Sequence, residues 1–429
     1  MTCGNCGRSH DAPLGCGCIP AEFWTRSEVA AALIPPGDVG TVVRLLRAHT
    51  DLTQEAIGNL AGLSQSAVSR LESGRRTITN PAKTTEILKR MGTPVDAADP
   101  DQSSAEPPRI VELRRLMNVY DLPDDGPTRP LTELRRAVSG VVSSRLDSRY
   151  TDLMDRLPHL IPELTRALFL QRGHQRSEVA RLLVQSYRTA DAVADKFGLY
   201  DLSARTIQVM LWASAHVEDE CTLAAAAYVR AETFFATQTF EAGRHMLEQA
   251  AQRIRPDTSV RAAAAYGALH MRAAVLAARA RQEDGARTHL AEARSIAKGV
   301  GEGVYAGTAF GPGSVRIHEV TLELDLGAPE RALSAAAGWV PPACLPAERR
   351  SHFYIDTARA HMLTRRHEFV LDALEEARTT APEHVRIHPD VHRILVELAR
   401  AGGPEAPAAG KFAAAAGIFV PSFRSSLRG

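Results

Sequence analysis

Apolar residues recur at helical spacing in two short stretches between residues 51 and 76, with a glycine-containing turn between them. The positions predicted to face inward are Ala56, Ile57 and Leu60 in the first stretch and Ala67, Val68 and Leu71 in the second. Thr53 and Ser64 precede the two stretches, where a hydroxyl group can cap a helix. Gly62 lies in the turn and permits a backbone conformation that other residues resist. The pattern predicts two amphipathic helices joined by a tight turn.

The outward side of the second helix carries Gln65, Ser66, Ser69 and Arg70. It lacks the Glu/Lys pairs of an ordinary solvated helix. Amide, hydroxyl and guanidinium groups hydrogen-bond to base edges in the major groove of DNA. We therefore interpret the segment as a helix-turn-helix, and we call its second helix the reading helix.

Residues 39 to about 92 resemble the Cro/CI-repressor (Xre-type) helix-turn-helix family. The matching segments are LTQE at 52–55, AGLS at 61–64 and VSRLESGRR at 68–76. The resemblance implies a lambda-repressor-like fold that binds double-stranded DNA. The DNA-binding residues it implies are Thr53, Gln54, Ser64, Gln65, Ser66, Ser69, Arg70, Arg75 and Arg76.

The resemblance also assigns roles within this set. Gln65, Ser66 and Arg70 fall at base-reading positions, and arginine is best suited to guanine. Gln54 contacts phosphate and braces the reading helix. The residues expected mostly to hold phosphates and set the register are Gln54, Thr53, Ser69, Arg75 and Arg76.

Two further positions follow from the same resemblance. Arg47 and Glu72 occupy positions that pair in the family and tie the first helix to the turn after the reading helix. Ile57-Gly58 departs from the family's usual Leu-Ala, and a glycine inside a helix costs about 1 kcal/mol relative to alanine. We expect a slightly less stable motif of the same kind.

The predicted helix-turn-helix carries a local excess of positive charge. Between Val39 and Gly92 eight Arg or Lys residues stand against four Asp or Glu residues, while the whole chain has a net charge of +1. Contact with phosphates requires such a basic patch and makes binding salt-sensitive. The alternative is a degenerate helix-turn-helix that only mediates protein contacts, although such a module would be expected to lose the patch and the polar face.

Helical periodicity dominates the second half of the chain. Residues 93–108, rich in Pro, Asp and Ser, predict a linker, and a short helix is expected near residues 109–119. From residue 130 onward the chain divides into candidate helix pairs. Their turns are expected at Phe197-Gly198, Gln238-Thr239, Gln282-Glu283, Gly327-Ala328 and Arg366-His367. After three of these turns an alanine recurs at Ala242, Ala286 and Ala332, at intervals of 44 and 46 residues.

This array resembles the degenerate tetratricopeptide-like domains attached to Xre-type regulators, and Thr308 to Val315 resembles a segment that recurs in them. The resemblance implies an α-solenoid whose concave surface holds a peptide, small-molecule or protein ligand. Ligand binding would then change the spacing of two DNA-reading heads in a homodimer on a palindromic operator. The alternative is a dimerisation or interaction scaffold without a ligand, whose helix-turn-helix is vestigial or regulatory.

Four cysteines lie close together near the N-terminus, in the order CxxC, nine residues, CxC. They are Cys3, Cys6, Cys16 and Cys18. In a reducing compartment this pattern favours thiolate ligation over disulfides, and one structural zinc ion is the first interpretation. His10 could replace one thiolate. Redox or iron–sulfur chemistry and a disordered tail remain the alternatives, because the CxC spacing is tighter than in usual zinc ribbons.

Other features argue against membrane and enzymatic functions. The chain has no apolar run long enough for a transmembrane helix and no secretory signal at its start, so we expect a cytoplasmic protein on or near the nucleoid. No Walker lysine loop and no GxSxG elbow occurs, and catalysis has no support from the sequence. Cys221 and Cys344 lie in apolar helical contexts and are expected in the core.

Two patterns in the C-terminal half, one of histidines and one of glycines, are only weak indications of a binding site. His384, His388 and His392 are spaced by four residues, but Pro389 is expected to start a helix and leave His384 in a preceding loop, which disfavours a metal site. The glycine-rich run from Gly299 to Gly303 follows a predicted helix and is interpreted as a connecting loop.

The combined prediction is an all-α protein that acts as a DNA-binding transcription regulator. Its expected parts are a Cys-rich candidate zinc knuckle (1–20), the helix-turn-helix (37–92), a linker with a short helix (93–129), the helical array (130–400) and an Ala-rich tail (401–429).

Overall fold

The computed structural model describes residues 38–50, 52–76, 81–92, 108–401 and 403–418, together with residues 19, 21–24, 26, 29, 78 and 420. The chain divides into two compact units, Met1–Glu106 and Pro107–Gly429. The predicted zinc ligands Cys3, Cys6, Cys16 and Cys18 lie outside the described residues, as does the predicted linker up to residue 107.

All the regular secondary structure described in the first unit is helical. Its helices are α1 (Ala21–Trp24), α2 (Val39–His49), α3 (Gln54–Ala61), α4 (Gln65–Glu72) and α5 (Pro81–Arg90). Fully buried Leu46, Ile57 and Val68 bring α2, α3 and α4 into one apolar core. The two predicted helices are α3 and α4, and the turn between them lies where the sequence predicted it.

Most of the predicted inward positions of α3 and α4 are buried. These are Ile57, Ala67, Val68 and Leu71. Ala56 and Leu60 are only half-buried, because α3 turns Gly58 and Ala61 toward the core instead. The expected helical stripe is therefore rotated by about one position on α3.

Gly58 is required by the close approach of α3 to the following turn. A Cβ atom on this residue would lie 2.6 Å from the carbonyl oxygen of Leu63. The Leu63 N–H donates to the Gly58 carbonyl oxygen at 2.8 Å, so the turn has no room to withdraw. The expectation that glycine weakens the motif relative to alanine is wrong here, since alanine does not fit without moving the backbone.

The second unit consists mainly of helix pairs joined by short turns. Its first part contains α6 (Pro108–Asn118), α7 (Leu131–Leu146), α8 (Tyr150–Leu170), α9 (Gly173–Lys196), α10 (Tyr200–Ser214), α11 (Glu220–Ala236) and α12 (Phe240–Gln252). It continues with α13 (Val260–Arg279), α14 (Glu283–Ala297), β1 (Gly303–Tyr305), β2 (Thr308–Phe310), α15 (Pro312–Asp325), α16 (Pro329–Ala336) and α17 (Ala347–Leu363). A 3₁₀ turn (His367–Phe369), α18 (Val370–Thr380), α19 (Pro382–Ile387), α20 (Pro389–Ala401) and α21 (Glu405–Ala416) complete it. The predicted all-α class is confirmed.

The turns within the helix pairs share one backbone geometry. In each, a residue with positive φ stands two positions before the next helix or 3₁₀ turn: Ser148, Gly198, Gln238, Arg281, Gly327 and Arg365. The N–H of the next residue donates to the carbonyl oxygen five residues earlier, at 2.8–3.1 Å. This is the Schellman arrangement, which satisfies the last carbonyl groups of the first helix. The five predicted turn positions all fall at these junctions.

A small residue recurs where the second helix of a pair packs against the first. In one pair it is not the residue that the sequence predicted. Ala286 and Ala332 are fully buried as expected. Ala242 is exposed, and its neighbour Gly243 takes the equivalent buried position. A Cβ atom on Gly243 would lie 2.7 Å from the Cβ atom of Phe234, so even alanine is too large there.

A two-stranded hairpin interrupts the helices between α14 and α15. Strands β1 and β2 are antiparallel, with Gly303 opposite Phe310 and Tyr305 opposite Thr308. The two turn residues, Ala306 and Gly307, both have positive φ, as a tight two-residue hairpin turn requires. The glycine-rich run thus forms a connecting loop, as predicted, which ends in a strand that the sequence did not indicate.

The second unit begins and ends beyond the predicted limits of the array. Helix α6, expected as part of a linker, buries Ile110, Leu113 and Met117 in the same core as the following helices. Helix α21, expected in a tail, contributes Ala409 and Phe412 to the C-terminal core cluster. Both segments are structural parts of the second unit.

Within the described part of the chain, no helix is both long enough and apolar enough to cross a bilayer.

The two cysteines of the second unit differ in burial. Cys221 is half-buried, but Cys344 is exposed in the loop after α16, so its predicted burial is wrong.

Candidate nucleic-acid interface

The side of α4 that faces away from the core presents the residues predicted to read DNA. Gln65, Ser66 and Arg70 are exposed, and Ser69 is half-buried at the edge of the same surface. The opposite side of the helix is buried, which fixes the direction of the exposed side. This surface offers amide, hydroxyl and guanidinium groups, which are suited to base edges.

A chain of polar side chains connects α2 with the start of the reading helix. Arg47 Nε lies 3.5 Å from Glu72 Oε1, and Gln54 Nε2 donates to Glu72 Oε2 at 2.6 Å. Gln65 Nε2 donates in turn to Gln54 Oε1 at 2.8 Å. The pairing of Arg47 with Glu72 and the bracing contact of Gln54 are both present. Because these bonds restrict rotation, Gln65 has less side-chain entropy to lose on binding.

Both helices of the motif carry the predicted hydroxyl caps. Thr53 Oγ1 accepts from the N–H of Ala56 at 3.1 Å, and Ser64 Oγ accepts from the N–H of Ala67 at 3.3 Å. Between the helices, Gly62 adopts a left-handed conformation with φ 67°. The caps and the glycine together hold the start of the reading helix against α3.

The two loop arginines lie directly beyond the reading helix. Arg75 and Arg76 are exposed, and the N–H of Arg76 donates to the carbonyl oxygen of Arg70 at 3.0 Å. Within the described residues neither of them forms an ion pair, and Arg70 forms none. Their charges therefore face solvent without a protein carboxylate to compensate them, which leaves them available to phosphate.

Two other arginines in the described part of the first unit pair with glutamates. Arg47 pairs with Glu72, and Arg90 Nη2 lies 2.6 Å from Glu86 Oε1. The excess positive charge seen in the sequence is thus not spread evenly, since three unpaired arginines belong to α4 and the turn after it.

Asp38 is a helix cap that supports the interface and that the sequence pattern did not reveal. It caps α2 by accepting from the N–H of Thr41 at 3.1 Å and from its hydroxyl group at 2.5 Å. The hydroxyl bond is the main reason that the pKa of Asp38 lies below its usual value. An aspartate three residues before a threonine at a helix start is the signal that could have revealed it.

Residues 38–100 match the family model of a helix-turn-helix domain. The match covers α2 through α5 and includes every residue of the interface described above. Comparison with curated proteins and with solved structures yields no match. The first unit therefore contains a helix-turn-helix domain, and the second unit is described by its own structure alone.

The second unit contains a cluster of charges that sequence reasoning missed. Lys196 Nζ lies 3.5 Å from Glu348 Oε1 and 3.6 Å from Asp195 Oδ2, while Arg349 Nη2 donates to the Tyr228 hydroxyl group at 3.0 Å. Burial alone would raise the pKa of Glu348, but Lys196 and Arg349 hold it well below the usual value. These residues are far apart in sequence, and no local pattern connects them.

Two arginines in the same region have no carboxylate partner. Arg188 Nη1 donates to Thr308 Oγ1 at 2.7 Å and to the carbonyl oxygen of Ala306 at 3.2 Å. Arg145 Nη2 donates to the carbonyl oxygen of Gly307 at 2.7 Å, and its buried Nε has no hydrogen-bond partner. Burial lowers the pKa of Arg188 to about 9. Both guanidinium groups hold the tip of the β-hairpin.

The histidine pattern differs from the prediction. Pro389 begins α20 as expected, but His384 lies within α19 and is fully buried, so its placement in a loop was wrong. His392 Nε2 lies 2.7 Å from the carbonyl oxygen of Arg386, away from the other two. His352 of α17 stands instead beside His384 and His388.

Proposed function

We propose that the protein is a sequence-specific DNA-binding transcription regulator of the Xre type. The observation that carries the proposal is the braced reading helix, in which Gln54, itself bonded to Glu72, holds Gln65 while Arg70 faces solvent unpaired. A module retained only for protein contacts has no need of a preorganised amide beside an uncompensated guanidinium group. The helix-turn-helix match over residues 38–100 supports the same proposal.

The proposed contacts divide into base readout and positioning. Gln65, Ser66 and Arg70 enter the major groove and read base edges, with Arg70 gripping guanine. Arg75 and Arg76 bind phosphates beyond the end of α4. Thr53 and Gln54, at the start of α3, set the register against the backbone of the other strand.

We propose that the regulator binds as a homodimer to a palindromic operator. Helix-turn-helix dimers place two reading helices about one helical turn apart, roughly 34 Å. The second unit, with its helix pairs, is the proposed site of dimerisation and of ligand response. Support for a ligand-responsive role comes from the hairpin tip, where Arg145 and Arg188 donate to uncharged oxygens that an anionic group could displace.

The remaining expectations belong to the same proposal. A structural zinc ion at Cys3, Cys6, Cys16 and Cys18, a location at the nucleoid and the lack of enzymatic activity stay predictions. The rival function is an interaction scaffold in which the second unit binds a protein partner and the helix-turn-helix does not bind DNA.

Selection of bound DNA from a random pool tests the proposal directly. Full-length protein at about 150 mM salt, where nonspecific phosphate binding is weak, is expected to enrich a palindrome. The Gln65→Ala/Arg70→Ala variant is the control for base readout, and Glu86→Ala is a matched surface change away from α4. Enrichment by wild type and Glu86→Ala, but not by the double variant, supports the proposal. Equal enrichment by all three, or none by wild type, overturns it and favours the scaffold.

A further inference from the structure

Three histidine side chains converge in the C-terminal part of the second unit. His352 belongs to α17, His384 to α19, and His388 stands at the junction of α19 and α20. One ring nitrogen from each lies within 4.8 Å of the others. The ring centroids are 5.0 Å apart for His384 and His388 and 5.6 Å apart for His352 and His388. Three nitrogen donors thus lie close together.

His384 has an unsatisfied nitrogen in this cluster. Its Nδ1 lies 3.0 Å from the hydroxyl oxygen of Ser351, which uses one side of the ring. The other nitrogen, Nε2, is buried and has no hydrogen-bond partner, and the residue as a whole is fully buried. A buried polar atom left without a partner costs about 1–3 kcal/mol, and a ligand bound to Nε2 would remove this cost.

The other two rings are also oriented by neighbouring groups. His352 Nε2 lies 3.5 Å from Asp356 Oδ2, so a carboxylate stands beside this ring, as carboxylates do beside many metal-binding imidazoles. The N–H of Asp390 donates to Nδ1 of His388 across 3.2 Å. This bond is long, so metal binding at His388 would exchange a weak hydrogen bond for a coordinate bond.

Positive and negative groups both act on the cluster. Lys196 and Arg349 are the cations that act on His352, and Lys196 pairs with Glu348 and Asp195. Asp356 is fully buried beside His352 and carries negative charge toward the cluster, although Arg359 shares it.

We propose that His352, His384 and His388 form a binding site for a divalent transition-metal ion. Three imidazole nitrogens favour zinc and its neighbours over calcium or magnesium, which prefer oxygen. With three protein ligands, a fourth position is left for water or an exogenous ligand. A bound ion would tie α17 to α19 and to the start of α20. This site is separate from the predicted thiolate site and does not rest on the proposed DNA binding.

Cobalt(II) titration of the full-length chain tests the site. The background is the Cys3→Ser/Cys6→Ser/Cys16→Ser/Cys18→Ser protein, which removes the thiolates that would compete for the ion. Spectroscopy in the visible range reports nitrogen-coordinated Co²⁺, and the expected result is one bound ion without thiolate charge-transfer bands. The Tm is expected to rise with Co²⁺ concentration, since the ion binds the folded state.

Single substitutions then assign the ligands. In that background His384→Asn and, at a less buried position, His352→Asn are each expected to weaken Co²⁺ binding at least about 100-fold, since even outer partners of metal ligands cost 10–100-fold. His392→Asn is the matched control, because His392 lies nearby but outside the cluster, and it should bind as the background does. Circular dichroism of the metal-free proteins identifies any variant that fails to fold. If His384→Asn fails to fold, Co²⁺ binding by His352→Asn decides whether the histidines are the ligands.

Two outcomes would overturn the proposal. One is the absence of Co²⁺ binding and of any Tm rise in the folded four-serine background. The other is undiminished binding in a folded His352→Asn or His384→Asn protein, which would place the ion elsewhere. In either case the three histidines are packing residues of the core.

Discussion

The guanidinium group of Arg145 on α7 donates a hydrogen bond of 2.7 Å to the carbonyl oxygen of Gly307, 162 residues later in the chain. Arg188 on α9 makes the adjacent bonds to Ala306 and Thr308. The hairpin tip is therefore held from two helices by arginines whose partners are neutral oxygens. Such bonds are weaker than bonds to carboxylates, and they connect the early and late halves of the second unit.

Loosening of the hairpin is the first prediction. Arg188→Met should remove both bonds to the tip and lower the free energy of local unfolding of the hairpin by about 1–2 kcal/mol. Amide exchange should then be about 5–30-fold faster. Hydrogen exchange of the amides in residues 303–310 is the measurement. The matched control is Arg181→Met on the same helix, which pairs with Glu178 and does not contact the hairpin. Unchanged exchange in the Arg188 variant would mean that packing of Phe310, not the arginine, holds the tip.

The bracing of the reading helix gives a second prediction, in which two effects have opposite sign. Glu72→Ala removes a negative charge, which should strengthen nonspecific binding to phosphate. It also releases Gln54 and, through it, Gln65. We expect binding to the selected operator to fall about fivefold or more, while binding to random DNA is equal or tighter. Fluorescence titrations with both DNAs measure this.

Glu86→Ala is the control for the charge effect, since Glu86 pairs with Arg90 and takes no part in the polar chain from Arg47 to Gln65. It should tighten both kinds of binding slightly. If both glutamate variants change operator affinity alike, the polar chain from Arg47 to Gln65 has no part in recognition.

The arginines of the interface should separate base reading from phosphate binding. Arg70→Ala is expected to cost about 1–3 kcal/mol on the selected site and to relax the preference at one base pair. Arg76→Ala should weaken all sequences alike and lower the salt slope by about 1. Titrations at several salt concentrations, on the operator and on single-base variants of it, make the comparison. An equal loss on every sequence for Arg70→Ala would refute its role in base reading.

Alanine substitution should change stability in opposite directions at two glycines within helices. Gly58→Ala places a Cβ atom 2.6 Å from the Leu63 carbonyl oxygen, and overpacking of this kind costs about 1–3 kcal/mol. Gly285→Ala on α14 meets only ordinary contacts at 3.9 Å, so it should stabilise by about 0.5–1 kcal/mol. Hydrogen exchange of the amides of α3 and α14 in the full-length proteins reports each local change. Stabilisation at both positions would show that the turn after α3 can move aside.

A buried histidine should make the second unit sensitive to acid. His318 donates from Nδ1 to the carbonyl oxygen of Ser314 at 2.9 Å, and burial lowers its pKa to about 3. The unfolded chain has a pKa near 6.5 and binds the proton that the folded state excludes, so stability is lost as the pH falls from about 6.5 toward 3. At pH 5 this proton uptake lowers the free energy of unfolding by about 2 kcal/mol.

Urea unfolding of wild type and His318→Gln at pH 7 and pH 5 measures this term. The variant should lose about 2 kcal/mol less than wild type between the two pH values, because it has no proton to take up. An identical loss in both proteins would mean that His318 is protonated within the fold. His352 and His384 act in the same direction in both proteins and cancel in the comparison.

The sequence by itself determined most of the helices, the turns within the helix pairs and the content of the candidate DNA-reading surface. These features depend on neighbours within a few positions: a hydroxyl before a helix, a glycine in a turn, apolar residues three and four apart. For that reason the caps at Thr53 and Ser64, the exposed Gln65 and Arg70, and the junctions of the helix pairs could all be predicted.

Only the tertiary structure decided which small residues are indispensable and which distant side chains meet. The need for Gly58 and the shift from Ala242 to Gly243 come from the close approach of a neighbouring segment, which helical periodicity alone does not show. The contact of Arg145 with Gly307 and the meeting of His352 with His384 depend on how whole helices stack. Local spacing carries no information on such contacts, because the free energy that fixes them comes from packing between elements far apart in the chain.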